Sequence, residues 1–113
     1  MLFFSIEECE YCDAVRTEFL DHLFTDSGYA GKLLLREIRL DSAMTMVGFD
    51  GLQTTHTAFA DRRGIGLVPT VQFTDGSGTT LEDNIDDLGT IEFYGAYLEH
   101  GIEKALSTLR QRN

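Results

Sequence analysis

Hydrophobic and polar residues follow one another along the chain in blocks that predict strands and helices. Leu2–Ile6 is short, apolar and rich in aromatic residues, which is typical of a buried strand. Lys32–Leu40 and Leu67–Thr74 are apolar or alternating and predict two more strands. We predict a fourth strand over Thr90–Tyr94 and a turn at Asp75–Gly78, whose sequence DGSG favours a sharp reversal.

Three segments have the period of an amphipathic helix. In Cys12–Phe24 the apolar residues fall on one face and the charged residues on the other. Thr54–Arg63 begins with two threonines that can cap a helix, and Gly64 is a typical helix end. Leu98–Arg110 carries basic residues near its C-terminal end, where the helix dipole favours them. The predicted order is therefore β-α-β-α-β-β-α.

Other stretches are less regular. Asp26–Gly31 interrupts the first helix, and Asp41–Gln53 predicts no element. Thr79–Gly89 is acidic and polar, and we interpret it as an extended loop or hairpin tip. The aromatic residues of the apolar segments are expected in the core: Phe3, Phe4, Phe19, Phe24, Phe59, Phe73 and Phe93.

Composition limits the kind of protein this is. The 113 residues suffice for one domain with its own core, so we predict a single domain over residues 1–113. A net charge of −10 argues against a nucleic-acid partner, whose affinity comes from neutralised phosphates, and against an anionic lipid surface. No apolar run approaches the roughly 18–20 residues of a membrane-spanning helix, so we expect no membrane insertion.

The candidate chemistry lies in Cys9-Glu10-Tyr11-Cys12, where the first predicted strand gives way to a helix. These are the only two cysteines of the chain. The free N–H groups and the positive dipole end of a helix stabilise an anion, so a cysteine placed there ionises more easily than a free thiol. A second thiol one turn later can attack a mixed disulfide formed by the first. We therefore predict Cys9 as the exposed nucleophile and Cys12 as the resolving thiol.

A Cys-x-x-Cys pair also serves other purposes. Zinc requires four ligands, and the histidines, at His22, His56 and His100, do not have the spacing that would complete a site. A Cu(I) carrier would use the two thiolates, but no methionine flanks them. A purely structural disulfide across so short a loop would stabilise the fold little. We expect no metal and no bound organic cofactor.

Several of these features together resemble the thioredoxin superfamily. They are the sequence CEYC at the strand-to-helix turn, Val68-Pro69-Thr70 at the start of a later strand, the DGSG turn, and Gly95 before the last helix. The resemblance covers nearly the whole chain, and FFSIEECEYCDAVRTEFL is most similar to the SoxW-like periplasmic thioredoxins. It implies a thioredoxin-like α/β fold, with a central four-stranded mixed sheet flanked by helices.

The resemblance also implies a function and a place for it. Pro69 would be cis and lie beside the cysteines, and the backbone of Val68 would pair with a substrate. The activity would be thiol–disulfide exchange on a protein or small-molecule disulfide by a monomer, with a separate reductase as redox partner. No export signal precedes Leu2–Ile6, and a chain that starts inside a core strand is typical of a trimmed protein. We expect the periplasm, with the cytoplasm as the alternative.

The chain departs from the family in three ways. It lacks an additional first strand and helix, and Phe3 stands where the family carries a buried acid. The dipeptide between the cysteines is Glu10-Tyr11 instead of Gly-Pro or Pro-X. The proton of Cys12 would then pass to water or to a nearby glutamate: Glu7, Glu8 or Glu10.

Acidic residues surround the cysteine pair and bear on its chemistry. Glu7, Glu8, Glu10 and Asp13 oppose thiolate formation at Cys9. Each exposed charge acts through a high dielectric and contributes less than about 1 kcal/mol. We expect Glu10 to modulate the site and the couple to be reducing rather than oxidising.

Two alternatives remain within the same fold. Tyr11-Cys12 resembles the end of a glutaredoxin CPYC motif, but no basic residues stand near Cys9 to receive the carboxylates of glutathione. A non-catalytic binding module would keep the fold without the activity. Tyr11, between the cysteines, is expected to be exposed and to contact substrate.

Overall fold

A four-stranded mixed sheet lies at the centre of the computed structural model, which describes residues 1–23, 29, 31–87, 89 and 91–112. The strands, in chain order, are β1 (Leu2–Ser5), β2 (Arg36–Arg39), β3 (Thr45–Val47), β4 (Gln53–Thr55), β5 (Thr70–Thr74) and β6 (Thr80–Ile85). The central sheet has the order β2-β1-β5-β6, while β3 and β4 form a separate antiparallel hairpin. β1 is parallel to β2 and antiparallel to β5, and β5 is antiparallel to β6.

The described residues also form three α-helices: α1 (Glu10–Glu18), α2 (His56–Arg62) and α3 (Ile91–Arg112). A short 3-10 turn, Leu20–His22, follows α1. The molecule is thus a mixed α/β structure with a four-stranded mixed sheet, as the sequence predicts at that level.

Helices cover both faces of the central sheet, because successive side chains of a strand point to opposite sides. Phe3 packs with residues of α1 and α3, whereas Leu2 and Phe4 pack with residues of α2 and β3. The first cluster also contains Cys12, Val15, Leu20, Leu23, Val71, Phe73, Leu81, Tyr94, Leu98, Ile102 and Ala105. The second also contains Ile38, Met46, Phe59 and Ala60.

The residues predicted to begin and end α2 do so, although the helix itself is shorter than predicted. Thr55 caps α2, since its hydroxyl accepts a hydrogen bond from the N–H of Ala58 at 3.1 Å. Gly64 follows the helix with a φ of +72°, a left-handed conformation that glycine adopts without steric cost. The DGSG turn is also confirmed, because the Asp75 carboxylate accepts hydrogen bonds from the N–H groups of Ser77 and Thr79 at 2.9 and 3.0 Å.

The predicted strand over Thr90–Tyr94 is wrong, because α3 already begins at Ile91, and Gly95 lies within this helix instead of before it. Thr90 itself lies outside the described residues. Tyr94 is buried in phase with the later inward residues of the helix, Leu98, Ile102 and Ala105. Phe93 lies off that stripe and is 58% exposed, so its predicted place in the core is also wrong.

The fourth strand of the sheet is instead β6, within the segment Thr79–Gly89 that we interpreted as a loop or hairpin tip. Leu81 is its one buried residue, because β6 is an edge strand with one neighbour. The DGSG turn, which connects β5 and β6, indicates their antiparallel pairing better than the polar sequence of β6 does.

The hairpin β3–β4 is an addition to the predicted order, since Asp41–Gln53 predicted no element. Only Met46 of β3 is buried, which explains why the hairpin has no clear hydrophobic pattern. The other predicted elements are present but shorter: β1, β2, β5, α1 and α2. Phe24 and most of Asp26–Gly31 lie outside the described residues.

The remaining aromatic residues agree more closely with the prediction. Phe3, Phe4, Phe59 and Phe73 are buried. Phe19 is partly buried and packs on Tyr94, with 5.3 Å between the ring centroids.

Gly101 provides a test of how α3 packs on the sheet. A Cβ at this position would lie 2.5 Å from Cζ of Phe73, a buried ring of β5. We expect Gly101→Ala to lower the free energy of unfolding by about 1–2 kcal/mol, since overpacking outweighs the better helix propensity of alanine. Urea denaturation measures the change.

The matched control is Gly101→Ala combined with Phe73→Leu, which removes the clashing ring atoms. The double variant should lose less stability than the sum of the two single variants. A Gly101→Ala protein as stable as the parent chain would contradict this packing of α3.

Candidate functional site

Cys9 and Cys12 form a disulfide at the N-terminus of α1. Cys9 is the N-cap residue, with extended backbone angles, and its Sγ accepts a hydrogen bond from the N–H of Cys12 at 3.1 Å. Its carbonyl accepts the first helical hydrogen bond, from the N–H of Asp13 at 2.9 Å. The sulfur of Cys9 therefore lies where the helix N–H groups and dipole favour a negative charge.

The two sulfurs differ in their access to solvent. Cys12 is completely buried in the first core cluster beside Phe3 and Val15, whereas Cys9 packs at the edge of that cluster and is only partly buried. Cys9 is therefore the more accessible of the two residues, although it is partly buried and not exposed as predicted. The order of reaction, in which Cys9 acts first, stays a prediction.

The loop before Cys9 is held against the end of β2. The N–H of Glu7 donates to the carboxylate of Asp41 at 3.0 Å, and the Arg39 guanidinium lies 3.5 Å from Glu7 and 3.8 Å from Asp41. Glu8 has a φ of +56°, which is uncommon for a residue with a side chain and costs about 1 kcal/mol. These contacts determine where the chain enters α1.

The strand register brings Val68 and Pro69 to the end of the sheet that carries the cysteines. Phe4 of β1 pairs with Thr70, the first residue of antiparallel β5. The residues just before Thr70 therefore lie at the same end as the residues just after Phe4, which lead to Cys9. The Val68–Pro69 peptide bond is cis, the geometry that the resemblance implies.

Val68 has a partly buried side chain that packs on both core clusters. Within the described residues, its backbone N–H and C=O make no hydrogen bond. An extended segment could therefore pair with this backbone, as expected for a substrate strand.

Glu10 and Tyr11 lie on the outer side of the first turn of α1. Both are exposed, and Tyr11 is 66% exposed, as predicted for an aromatic residue between the cysteines. The sequence reasoning did not single out Leu67, which precedes Val68 and is 62% exposed. The signal for Leu67 would have been its position two residues before Pro69.

A polar network that the sequence analysis missed lies between α1 and β2. Arg16 of α1 donates from Nε to Oε1 of Glu37 at 2.9 Å and from a terminal nitrogen to Oε2. Ser5 of β1 donates to the same carboxylate at 2.6 Å. Arg16 also lies over the ring of Phe3, 5.6 Å from its centroid. These hydrogen bonds connect α1 to the strands β1 and β2.

Glu37 stands beside Phe3, which occupies the position where the family would carry an acid, because the two residues are register partners in β1 and β2. Burial alone would raise the pKa of Glu37, but its hydrogen bonds from Arg16 and Ser5 outweigh this and lower the pKa. The same carboxylate raises the pKa of Arg16. Glu37 is thus an ionised, fully engaged acceptor.

A groove lies elsewhere, away from the cysteines. Its volume is about 780 Å³, and its lining is mainly apolar and includes Leu2, Leu33, Phe73 and Leu106. It lies at the end of the sheet where β1 begins, and neither cysteine lines it. We place the candidate chemistry at the disulfide, which carries the reactive atoms.

In the described part of the chain, no three side chains of the kinds His, Cys, Asp and Glu come together as a set of metal ligands. None of the helices found there is long and apolar enough to cross a membrane.

Comparison with known proteins adds no family assignment. The chain matches no protein-family model, and no curated protein matches it in sequence.

The network around Glu37 generates a prediction on stability and pH. Glu37→Gln should lower the free energy of unfolding by about 1 kcal/mol at pH 7, since a partly exposed, charge-assisted hydrogen-bond pair is lost. The pKa of Glu37 is lower in the folded chain than its ordinary value of 4.5, so its contribution is present above pH 4.5 and is lost as the pH falls through the folded-state pKa. Urea denaturation at pH 7 and pH 3 measures both.

Glu18→Gln is a suitable control, because Glu18 is an exposed glutamate at the other end of α1. It should change the free energy of unfolding little at either pH. An effect of Glu37→Gln that is equally large at pH 7 and pH 3 would contradict the charge-based account.

Proposed function

We propose that this protein is a thioredoxin-like thiol–disulfide oxidoreductase that works through Cys9 and Cys12. The observation that carries the proposal is the disulfide at the N-terminus of α1, in which Cys9 is partly buried and Cys12 is fully buried. The sheet order β2-β1-β5-β6 and the helices on both faces support the thioredoxin-like interpretation. The β3–β4 hairpin would be an addition of this chain.

The reaction begins from the reduced pair. The thiolate of Cys9 attacks one sulfur of a substrate disulfide, which forms a mixed disulfide and releases the other substrate sulfur as a thiolate that takes a proton. Cys12 then loses its proton and attacks Sγ of Cys9. This second step forms the Cys9–Cys12 disulfide and releases the remaining substrate thiol, so that two electrons have passed to the substrate. A dithiol reductant returns them to the protein.

Each step has a physical basis in this chain. The N–H of Cys12 and the dipole of α1 stabilise the negative charge on Sγ of Cys9 in the attacking thiolate. The free backbone of Val68, at the same end of the sheet, would align an extended substrate beside Cys9. Tyr11 and Leu67 provide exposed apolar surface for contact with it.

The proton of Cys12 needs an acceptor. Glu37 is already bonded to Arg16 and Ser5, so it is a poor candidate despite its position beside Phe3. Water that enters when the mixed disulfide forms, or one of the exposed glutamates Glu7, Glu8 and Glu10, remains the proposed route.

Equilibration of the protein with glutathione buffers tests the proposal directly. We expect a reversible couple between about −180 and −300 mV, read as the fraction of Cys9–Cys12 disulfide by alkylation and mass. A pair that stays reduced at every ratio of oxidised to reduced glutathione would defeat the proposal. A non-catalytic binding module or a Cu(I) carrier would then explain the cysteines better.

Single-cysteine variants test the separate roles of the two sulfurs. Cys12→Ser should trap a mixed disulfide between Cys9 and a substrate, because the accessible sulfur remains while the resolving one is absent. Mass spectrometry of the unreduced protein measures the adduct. With only two cysteines in the chain, the adduct has one attachment site.

Cys9→Ser is the matched control and should form no such adduct at a comparable rate, because Cys12 is buried. Faster adduct formation by Cys9→Ser than by Cys12→Ser would reverse the assigned roles.

A further inference from the structure

We propose that this site prefers cationic disulfides and disfavours anionic ones. The inference rests on the proposed function and names the substrate class for the same pair of cysteines. Three observations carry it: the unpaired carboxylates of the residues on either side of Cys9, the engagement of the arginines of α1 and β2 with other carboxylates, and the exposed side chains of Tyr11 and Leu67.

The charges around Cys9 are unbalanced. Glu8 and Glu10 flank Cys9 directly, both are exposed, and neither forms an ion pair within the described part of the chain. Negative charges on both sides of the attacking sulfur would attract a positively charged substrate and repel a negatively charged one.

The arginines of α1 and β2 are held by other carboxylates. Arg16 bonds to Glu37 and, at 2.7 Å, to Asp13, and it lies on the side of α1 that faces β2. Arg39 lies between Glu7 and Asp41. Neither guanidinium is free to receive a substrate carboxylate, so the site offers no compensation for an anionic substrate.

The surface beside Cys9 is open to a substrate. Tyr11 and Leu67, from the two segments that meet at this end of the sheet, expose about two-thirds of their surface, 66% and 62%. A substrate that reaches Cys9 across these side chains passes close to Glu8 and Glu10, because these two residues are the sequence neighbours of Cys9. The carboxylates would therefore act on the bound substrate as well as on its approach.

Coulomb's law sets the expected size of the effect. At a separation of about 7 Å in water, one carboxylate changes the local concentration of a unit charge by about two- to threefold at low ionic strength. Each of the two carboxylates raises the local concentration of a cation by this factor and lowers that of an anion by the same factor. We therefore expect cationic and anionic disulfides to differ by about tenfold or more in rate.

The experiment uses the reduced protein and three small disulfides: cystamine, which is dicationic, hydroxyethyl disulfide, which is neutral, and dithiodiglycolate, which is dianionic. Formation of the Cys9–Cys12 disulfide is followed in time by acid quenching, alkylation and mass. Each rate constant is divided by that of dithiothreitol with the same disulfide, which removes differences in intrinsic reactivity. The normalised ratio of cystamine to dithiodiglycolate should be about tenfold or more at 10 mM salt and approach one at 1 M salt.

A double variant, Glu8→Gln with Glu10→Gln, assigns the preference to these side chains. It should reduce the cystamine-to-dithiodiglycolate ratio severalfold. Because the ratio compares two substrates of one protein, a change in the ionisation of Cys9 cancels. Glu18→Gln, which removes one exposed charge at the far end of α1, should leave the ratio nearly unchanged.

The outcomes separate the two proposals. If none of the three disulfides oxidises the pair, the proposed function fails. If all three react with equal normalised rates, or if the anionic one reacts fastest, the exchange activity stands and the charge preference is overturned. A preference that persists at 1 M salt or survives the double variant would also overturn it.

Discussion

The burial of β1 on both faces is the constraint on which the rest of the structure depends. All four residues of Leu2–Ser5 are buried, and the strand pairs with β2 on one side and β5 on the other. A strand enclosed in this way has one place in the molecule, and the loop that leaves it delivers Cys9 to the start of α1. Because β5 is antiparallel to β1, its first residues arrive at the same point.

The candidate site combines a rigid base with an exposed rim. Cys12 belongs to the core, and α1 is tied to both strands below it by Arg16, Glu37 and Ser5. The rim consists of side chains that contribute little to the core, namely Glu8, Glu10, Tyr11 and Leu67. Under the proposed function, substitutions at the rim would change substrate preference without changing the position of the sulfurs.

Sequence patterns predicted the elements whose side chains fill the core and missed those defined by backbone pairing. β1, α1, α2 and β5 follow from apolar runs, caps and turn residues. β6 buries only Leu81, and the strands of the β3–β4 hairpin bury only Met46, so the hydrophobic pattern of these segments is weak. The start of α3 was mistaken for a strand because Ile91, Phe93 and Tyr94 form a short apolar run, which period alone does not assign.

The sequence by itself determined the reactive pair, its place between a strand and a helix, and the excess of acid around it, because these depend on residues close together in the chain. Only the tertiary structure decided which sulfur is buried, since that depends on the packing of α1 against Phe3 and α3. It also decided that Glu37 binds Arg16 and Ser5 beside Phe3, because that contact joins residues from three elements. The physical reason is the same in both cases: burial and ion pairing depend on neighbours in space, which local patterns do not specify.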